Sequence, residues 1–182
     1  MVRSASTSER RKSTHHIITG PLMHETHNSL SEDTRERMIE LLNNRLADGV
    51  DLSTQAKSAH WNVKGPQFVG LHELFDKVYE DLAEHTDLIA ERCVQLGGTA
   101  MGTARIAARD SHIEEYPVDI FTCEDHVQQL GSHLADFARL CREAIDAASN
   151  AGDQATSDLF TEIVRSLDKS VWFIEAHMQE PA

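Results

Sequence analysis

Long apolar runs are missing from this chain. No stretch approaches the roughly eighteen apolar residues of a membrane helix, and residues 1–21 hold no apolar core of a secretory signal. Neither a membrane span nor an export signal is therefore read. Cysteine is scarce: Cys93, Cys123 and Cys141 form an odd set with no CxxC pair. That excludes a disulfide framework and points to a reduced, cytoplasmic protein. Reactive-thiol chemistry is the less common fate of such residues; a buried, inert cysteine on a helix is the ordinary one. Proline occurs only at 21, 66, 117 and 181, where no helical pattern is interrupted. Basic residues are the minority, 17 against 30 acidic, for a formal net charge of −13. A body so charged is not a general nucleic-acid binder; it favours solubility and attracts cations. Period-two alternation and short internal repeats are also absent, which leaves no strand to propose.

What the 182 residues do contain is helix, enough for one domain with a sizeable core. Residues 29–182 read as an all-α body and 1–28 as a flexible tail rich in Ser and Thr, without periodicity. Ser29-Leu30-Ser31-Glu32 has the capping-box form. Met38, Leu41, Leu42, Leu46 and Val50 then recur at helical spacing, and the pattern runs on to Trp61. Gly65-Pro66 breaks it. A second helix follows from Gln67 to Leu96, with Leu71, Leu74, Phe75, Val78, Leu82, Ile89 and Val94 inward and Gly97-Gly98 as its stop. Residues 97–121 form a connection too long for a hairpin, with a short helix expected over Thr103–Arg109. Thr122 caps a third long helix through Asn150, and a fourth runs from about Asp153 to Gln179. Four helices with a long crossover after the second predict the ferritin-like bundle topology.

The second helix carries the chemistry. His72 and Asp76 are four apart, as are Asp87 and Glu91, and such pairs share a helix face. A single His-x-x-x-Asp pair is common on charged helices, and Glu80, Asp81, Glu84 and His85 make this one acidic throughout, so a solvated face is the plain reading. The two pairs lie on nearly the same stripe but about 16 Å apart along the axis. No one metal is held by both pairs of one chain. Either each chain has two sites, or an antiparallel second chain brings its Asp87 and Glu91 opposite His60, His72 and Asp76. The second arrangement collects two imidazoles and three carboxylates, a donor mix that suits iron.

The pattern Lys57-x-x-His60-Trp61-Asn62-Val63-x-Gly65-Pro66-x-Phe68-x-x-Leu71-His72-x-x-Phe75-Asp76, followed by Asp87-x-x-Ala90-Glu91-Arg92-x-x-x-Leu96-Gly97-Gly98, resembles the Dps family, the DNA-binding proteins from starved cells or mini-ferritins. Ser166-Leu167-Asp168-Lys169-x-x-Trp172-Phe173-Ile174-Glu175 extends the likeness into the last helix, so that it covers about Ser31 to Met178. The resemblance implies a ferroxidase assembled as a hollow dodecamer from two-fold dimers. His60, His72 and Asp76 of one subunit and Asp87 and Glu91 of its mate would bind Fe²⁺. Hydrogen peroxide would oxidise it, and the cage would store ferric mineral, which protects DNA from oxidative damage. Trp61 is implied as an electron donor beside His60, although filling an interface is the commoner use of tryptophan. Lys57 and Lys64 are free to pair with nearby carboxylates and receive no catalytic role; Trp172 reads as packing.

Other features stay two-sided. Asp153, Asp158 and Glu162 match the position of the family's acidic entry pore, yet acidic groups at a helix start also act as caps. Arg3, Arg10, Arg11 and Lys12 against Glu9 give residues 1–20 a net charge of +3, opposite to the body. Such an arm offers a weak, salt-sensitive DNA contact strengthened by repetition over a shell, or is an ordinary terminus. His15, His16, His24 and His27 offer a metal or pH response there, or are incidental. Two competing functions remain: a nucleoid-associated DNA-compacting protein with secondary metal chemistry, and a metal-buffering cage with zinc on the same ligands.

Overall fold

The structure is a computed structural model, and it describes residues 23–179. Five helices account for the body: α1 (Glu32–Asn62), α2 (Phe68–Gln95), α3 (Ala104–Asp110), α4 (Cys123–Asn150) and α5 (Gln154–Glu175). Three of the four long helices start at a side-chain cap, and α2 starts without one. The Ser31 hydroxyl accepts from the Thr34 N–H at 3.2 Å, with Glu32 and Asp33 in the first turn. Thr122 accepts from Asp125 at 3.1 Å and Asp153 from Thr156 at 3.1 Å, so α4 and α5 are capped the same way. The cap of α1 therefore sits two residues after Ser29. Asn28 holds the Leu30 N–H at 3.0 Å in an Asx turn and keeps that stretch out of the helix. Gly97 and Gly152 end α2 and α4 at φ of 88° and 82°. The bonds that follow, Gly98 N–H to the Cys93 carbonyl and Asp153 N–H to that of Ala148, both 3.0 Å, are of the Schellman type.

α1 packs on α2 and α4 on α5, each pair joined by a short turn and hence antiparallel. The crossover leaves α2 at Gly97 and returns to the opposite end of the bundle, where the Lys64 N–H donates to the Phe121 carbonyl at 2.9 Å. It thus spans the full length, and α2 and α4 run in the same direction. This is the ferritin-like connection. Three polar side chains of α1 hold the crossover down. Asn43 donates to Thr99 O at 3.1 Å and accepts from Met101 N–H at 2.8 Å. Asp48 accepts from His112 N–H at 2.7 Å, and Gln55 donates to Glu114 O at 2.9 Å. Close approach of α1 and α2 is secured at Gly49, where a Cβ would lie 2.9 Å from Thr86 Oγ1.

One continuous core fills the bundle, with Leu42, Leu52, Leu71, Phe75, Ile89, Leu130, Phe137, Phe160 and Ile163 nearly inaccessible. Buried among these are polar groups that periodicity does not reveal. Arg45 and Asp48 form an ion pair at 2.9 Å. His85, His126 and His133 are all buried, and desolvation pushes each below its ordinary value. The cysteines match the inert reading: all three are buried, and burial raises Cys93 to about 11 and Cys141 to about 12.

Two segments differ from the sequence reading. Residues 23–28, assigned to the tail, lie against the body: Met23 packs on the core and the His24 N–H donates to Gly97 O at 2.6 Å. α5 ends at Glu175, and residues 176–178 form turns. Arg3, Arg10, Arg11, Lys12, His15 and His16 lie outside the described residues. No helix among the described residues is long and apolar enough to cross a membrane.

Candidate metal centre

The turn between α1 and α2 brings together residues twelve positions apart. Gly65 adopts φ 134°, in a region L side chains avoid, and an added Cβ there would sit 3.1 Å from Cys123 Sγ. The reversal places the last turn of α1 beside the first turn of α2. His60 and His72 stack there, ring centroids 3.7 Å apart and planes 22° apart. Each ring is bonded to the other's backbone: His60 Nδ1 lies 2.7 Å from His72 O, and His72 Nδ1 lies 2.8 Å from His60 O. A carbonyl oxygen only accepts, so both Nδ1 atoms carry the proton. In the neutral rings Nε2 then carries the lone pair, the form in which imidazole ligates a metal. Each such bond contributes about 1 kcal/mol and fixes a ring orientation.

Asp76 lies one turn beyond His72 and is half-buried. Lys57 forms an ion pair with its Oδ1, and the Lys57 ammonium also sits over the Tyr79 ring, 4.8 Å from its centroid. The hydrogen bond from Lys57 and its charge hold the Asp76 carboxyl below its ordinary value. The sequence left open which carboxylate Lys57 meets; it is that of Asp76, itself a candidate ligand. Large apolar side chains are exposed around this cluster. Trp61 is 68% exposed, Val69 65% and Phe68 41%, with the Phe68 ring 5.1 Å from that of His72.

Asp87 and Glu91 stand exposed further along α2, away from these three. Among the described residues of one chain, no three His, Cys, Asp or Glu side chains converge as metal ligands. His60 and His72 are stacked, with Asp76 one helical turn on from His72; Asp87 and Glu91 lie two turns and more further along α2.

The acidic residues of α5 separate. Asp158 and Glu162 are exposed one turn apart. Asp153 is not available to line an opening: it is 2% exposed, caps α5, and accepts from Arg92 Nη2 at 2.8 and 3.0 Å. Burial alone would raise its carboxyl, but bonds from the Thr156 hydroxyl and N–H and from Arg92 bring it below its ordinary value. Trp172, read as packing, is 60% exposed and leans on Phe173 at 4.8 Å.

Four helices with a full-length crossover after the second, and two imidazoles and a carboxylate at the α1–α2 junction, define a ferritin-like histidine–carboxylate protein. Residues 39–181 match the ferritin-like domain family. The DNA protection during starvation protein of Agrobacterium fabrum is 45% identical over 157 residues, covering 86% of this chain and 97% of that protein. The chain belongs to the Dps family. Among solved structures, DpsC from Streptomyces coelicolor superposes with a TM-score of 0.85 at 28% identity, over 92% of this chain and 98% of that one. A Dps protein from Vibrio cholerae, described as a member of the ferritin-like diiron-carboxylate superfamily, gives 0.77 at 26% identity over 82% and 94%.

Proposed function

We infer that this protein is a ferroxidase and iron store whose metal sites are shared between two copies of the chain. The observation that carries the reading is the half-site at the α1–α2 junction. Two imidazoles are oriented by Nδ1 bonds to main-chain carbonyls, which leaves Nε2 as the ligating atom, next to a carboxyl of Asp76 held below its ordinary value, on a face rimmed by exposed Trp61, Phe68 and Val69. An antiparallel copy across a two-fold axis would cover that rim and supply Asp87 and Glu91. His60, His72, Asp76, Asp87 and Glu91 would then complete one site at each end of the shared interface. Oxygen and nitrogen donors together accept ferrous iron, and the diiron-carboxylate description of the Vibrio cholerae relative favours iron over zinc.

Two ferrous ions each give one electron to one hydrogen peroxide; its O–O bond breaks to two hydroxides and no hydroxyl radical is released. The protein positions the iron and keeps coordination places open. Trp61, beside ligand His60, is a reductant for oxidising by-products. Ferric product collects as mineral in a hollow dodecamer, and Asp158 and Glu162 around its three-fold axes draw in Fe²⁺. Cytoplasmic iron removal of this kind protects DNA; direct contact through Arg3, Arg10, Arg11 and Lys12 is a separate property.

The test is stopped-flow absorbance after anaerobic Fe²⁺ loading and addition of peroxide. Fast oxidation near two irons per peroxide is expected, lost in His72→Ala plus Asp76→Ala. His72→Ala and Glu91→Ala, about 28 Å apart on one helix, should each abolish it, and mixed oligomers of the two should recover part. Mixtures no better than either variant alone would rule out shared sites. DNA contact is tested by gel retardation at low salt, with loss expected on deleting residues 1–22.

A further inference from the structure

Tyr116 is one of two tyrosines in the chain and belongs to the irregular crossover, yet it is only 7% exposed. Its hydroxyl lies 2.8 Å from Nδ1 of His126, in the first turn of α4 and itself 1% exposed. The two rings are nearly parallel, 15° apart, with centroids separated by 6.0 Å. His126 also neighbours Phe75, 6.5 Å between centroids, and Phe75 precedes Asp76 of the half-site in the chain. A second imidazole, His133, stands edge-on to Tyr116 at 6.0 Å, but its nitrogens are engaged by Gln55 and Gln129, each at 2.6 Å. His126 is thus the imidazole that serves the phenol. An ordinary buried tyrosine needs one hydrogen bond, which any carbonyl supplies. Here the partner is a base able to gain a proton, and it also faces Phe75, the neighbour of Asp76 in the chain.

We propose that Tyr116 and His126 form a one-electron relay that intercepts radicals generated at the iron site. This rests on the peroxide-driven iron oxidation of the preceding section. When a lone ferrous ion reduces a peroxide, the O–O bond breaks to one hydroxide and one hydroxyl radical. An electron from the Tyr116 ring, passed through His126 and Phe75, converts that radical to a second hydroxide. The phenol O–H bond breaks in the same step and the proton forms an N–H bond at Nδ1 of His126, leaving a neutral phenoxyl beside an imidazolium. A further ferrous ion returns the electron and becomes ferric, and His126 returns the proton. The sum is two ferrous ions per peroxide, equal to the two-electron route. Burial keeps His126 neutral in the resting protein, so Nδ1 is open to the phenol, while Asp125 and the Ile120 carbonyl favour the charged ring once it forms. Solvent exclusion around both rings keeps the phenoxyl from reacting outward.

The experiment is rapid-freeze electron paramagnetic resonance of the full chain with one ferrous ion per subunit and excess hydrogen peroxide. Protein grown on ring-deuterated tyrosine identifies a phenoxyl by collapse of its hyperfine structure. The signal is expected to persist in Tyr79→Phe, to fall at least tenfold in Tyr116→Phe, and to fall at least threefold in His126→Gln, where the phenol has lost its base. A signal insensitive to tyrosine deuteration, or one that survives Tyr116→Phe, overturns the relay. So does fast iron oxidation with no radical at all. If iron oxidation itself fails, that shows as missing ferric absorbance, and a second arm decides. Flash-generated ruthenium(III) oxidises the Tyr79→Phe protein without iron. A phenoxyl that forms there and is slowed in His126→Gln supports the pair, and its absence refutes it.

Discussion

Arg92→Met tests whether the α2–α5 tie is held by charge. The substitution keeps the unbranched stem and removes the guanidinium. Asp153 would remain 2% exposed with both Thr156 bonds, but would lose its two bonds from Arg92 Nη2 at 2.8 and 3.0 Å. Stripping one partner from a buried pair costs about 3–5 kcal/mol, and the two surviving bonds place this case near about 3 kcal/mol. Asp153→Asn should be milder, about 1–2 kcal/mol, because the amide oxygen still caps α5 and Arg92 can extend to water. The double variant buries no lone charge and should fall short of the summed cost by at least about 1 kcal/mol. The assay is urea unfolding by circular dichroism at one fixed subunit concentration, since assembly adds a concentration-dependent contribution. Its pH dependence gives a second reading. A carboxyl held below its unfolded value contributes stability that is present above about pH 3.9 and lost as pH falls through the folded value. The Arg92→Met penalty should therefore be full at neutral pH and shrink on acidification below about pH 4. A penalty under about 1 kcal/mol, or one unchanged by acid, would refute the argument.

Three more outcomes follow from other parts of the molecule. His85, His126 and His133 have folded values depressed by burial, so the unfolded chain binds more protons below about pH 6.5. Stability should be flat above that pH and decline below it, by up to about 1.4 kcal/mol per pH unit for each histidine. Among the described residues, neither ring nitrogen of His85 has a hydrogen-bond partner. His85→Leu is thus expected to stabilise the fold by about 1 kcal/mol and to blunt the acid decline, both measurable from urea midpoints. Lys57→Gln frees Asp76 from a partly exposed ion pair of the kind that contributes little, so Co²⁺ affinity by calorimetry should rise by no more than about fivefold. Thiol reagents should leave Cys93, Cys123 and Cys141 unmodified in the native protein and label all three in urea, because each is buried.

Much of the architecture was legible because it rests on local chemistry. Apolar spacing, Thr122 as a cap, Gly97-Gly98 as a stop and the length of residues 97–121 together gave the helix order and the crossover. The start of α1 was misplaced because Ser29 and Ser31 both fit a cap, and only the Asn28 turn chooses between them. That His72 and Asp76 share a helix face was legible from i,i+4 spacing, and the Gly65-Pro66 break marked the turn that brings His60 beside them. Their mutual orientation was not, since the acceptors are backbone carbonyls that every residue possesses. Asp153 illustrates the limit most clearly. Its place before a helix fitted pore and cap alike, and its burial depends on Arg92, 61 positions away. Tyr116 and His126 carried no signal at all, as their pairing follows from how the crossover lies on α4.

The two imidazoles at the α1–α2 junction are anchored to main chain rather than to each other's side chains. Losing either ring therefore leaves its carbonyl in place, still gripping the survivor. What remains is a socket with the outline of one imidazole, walled by a correctly turned ring at stacking distance. Damage at one position does not spread to the other, and the architecture of the site outlasts the loss of half its nitrogen donors.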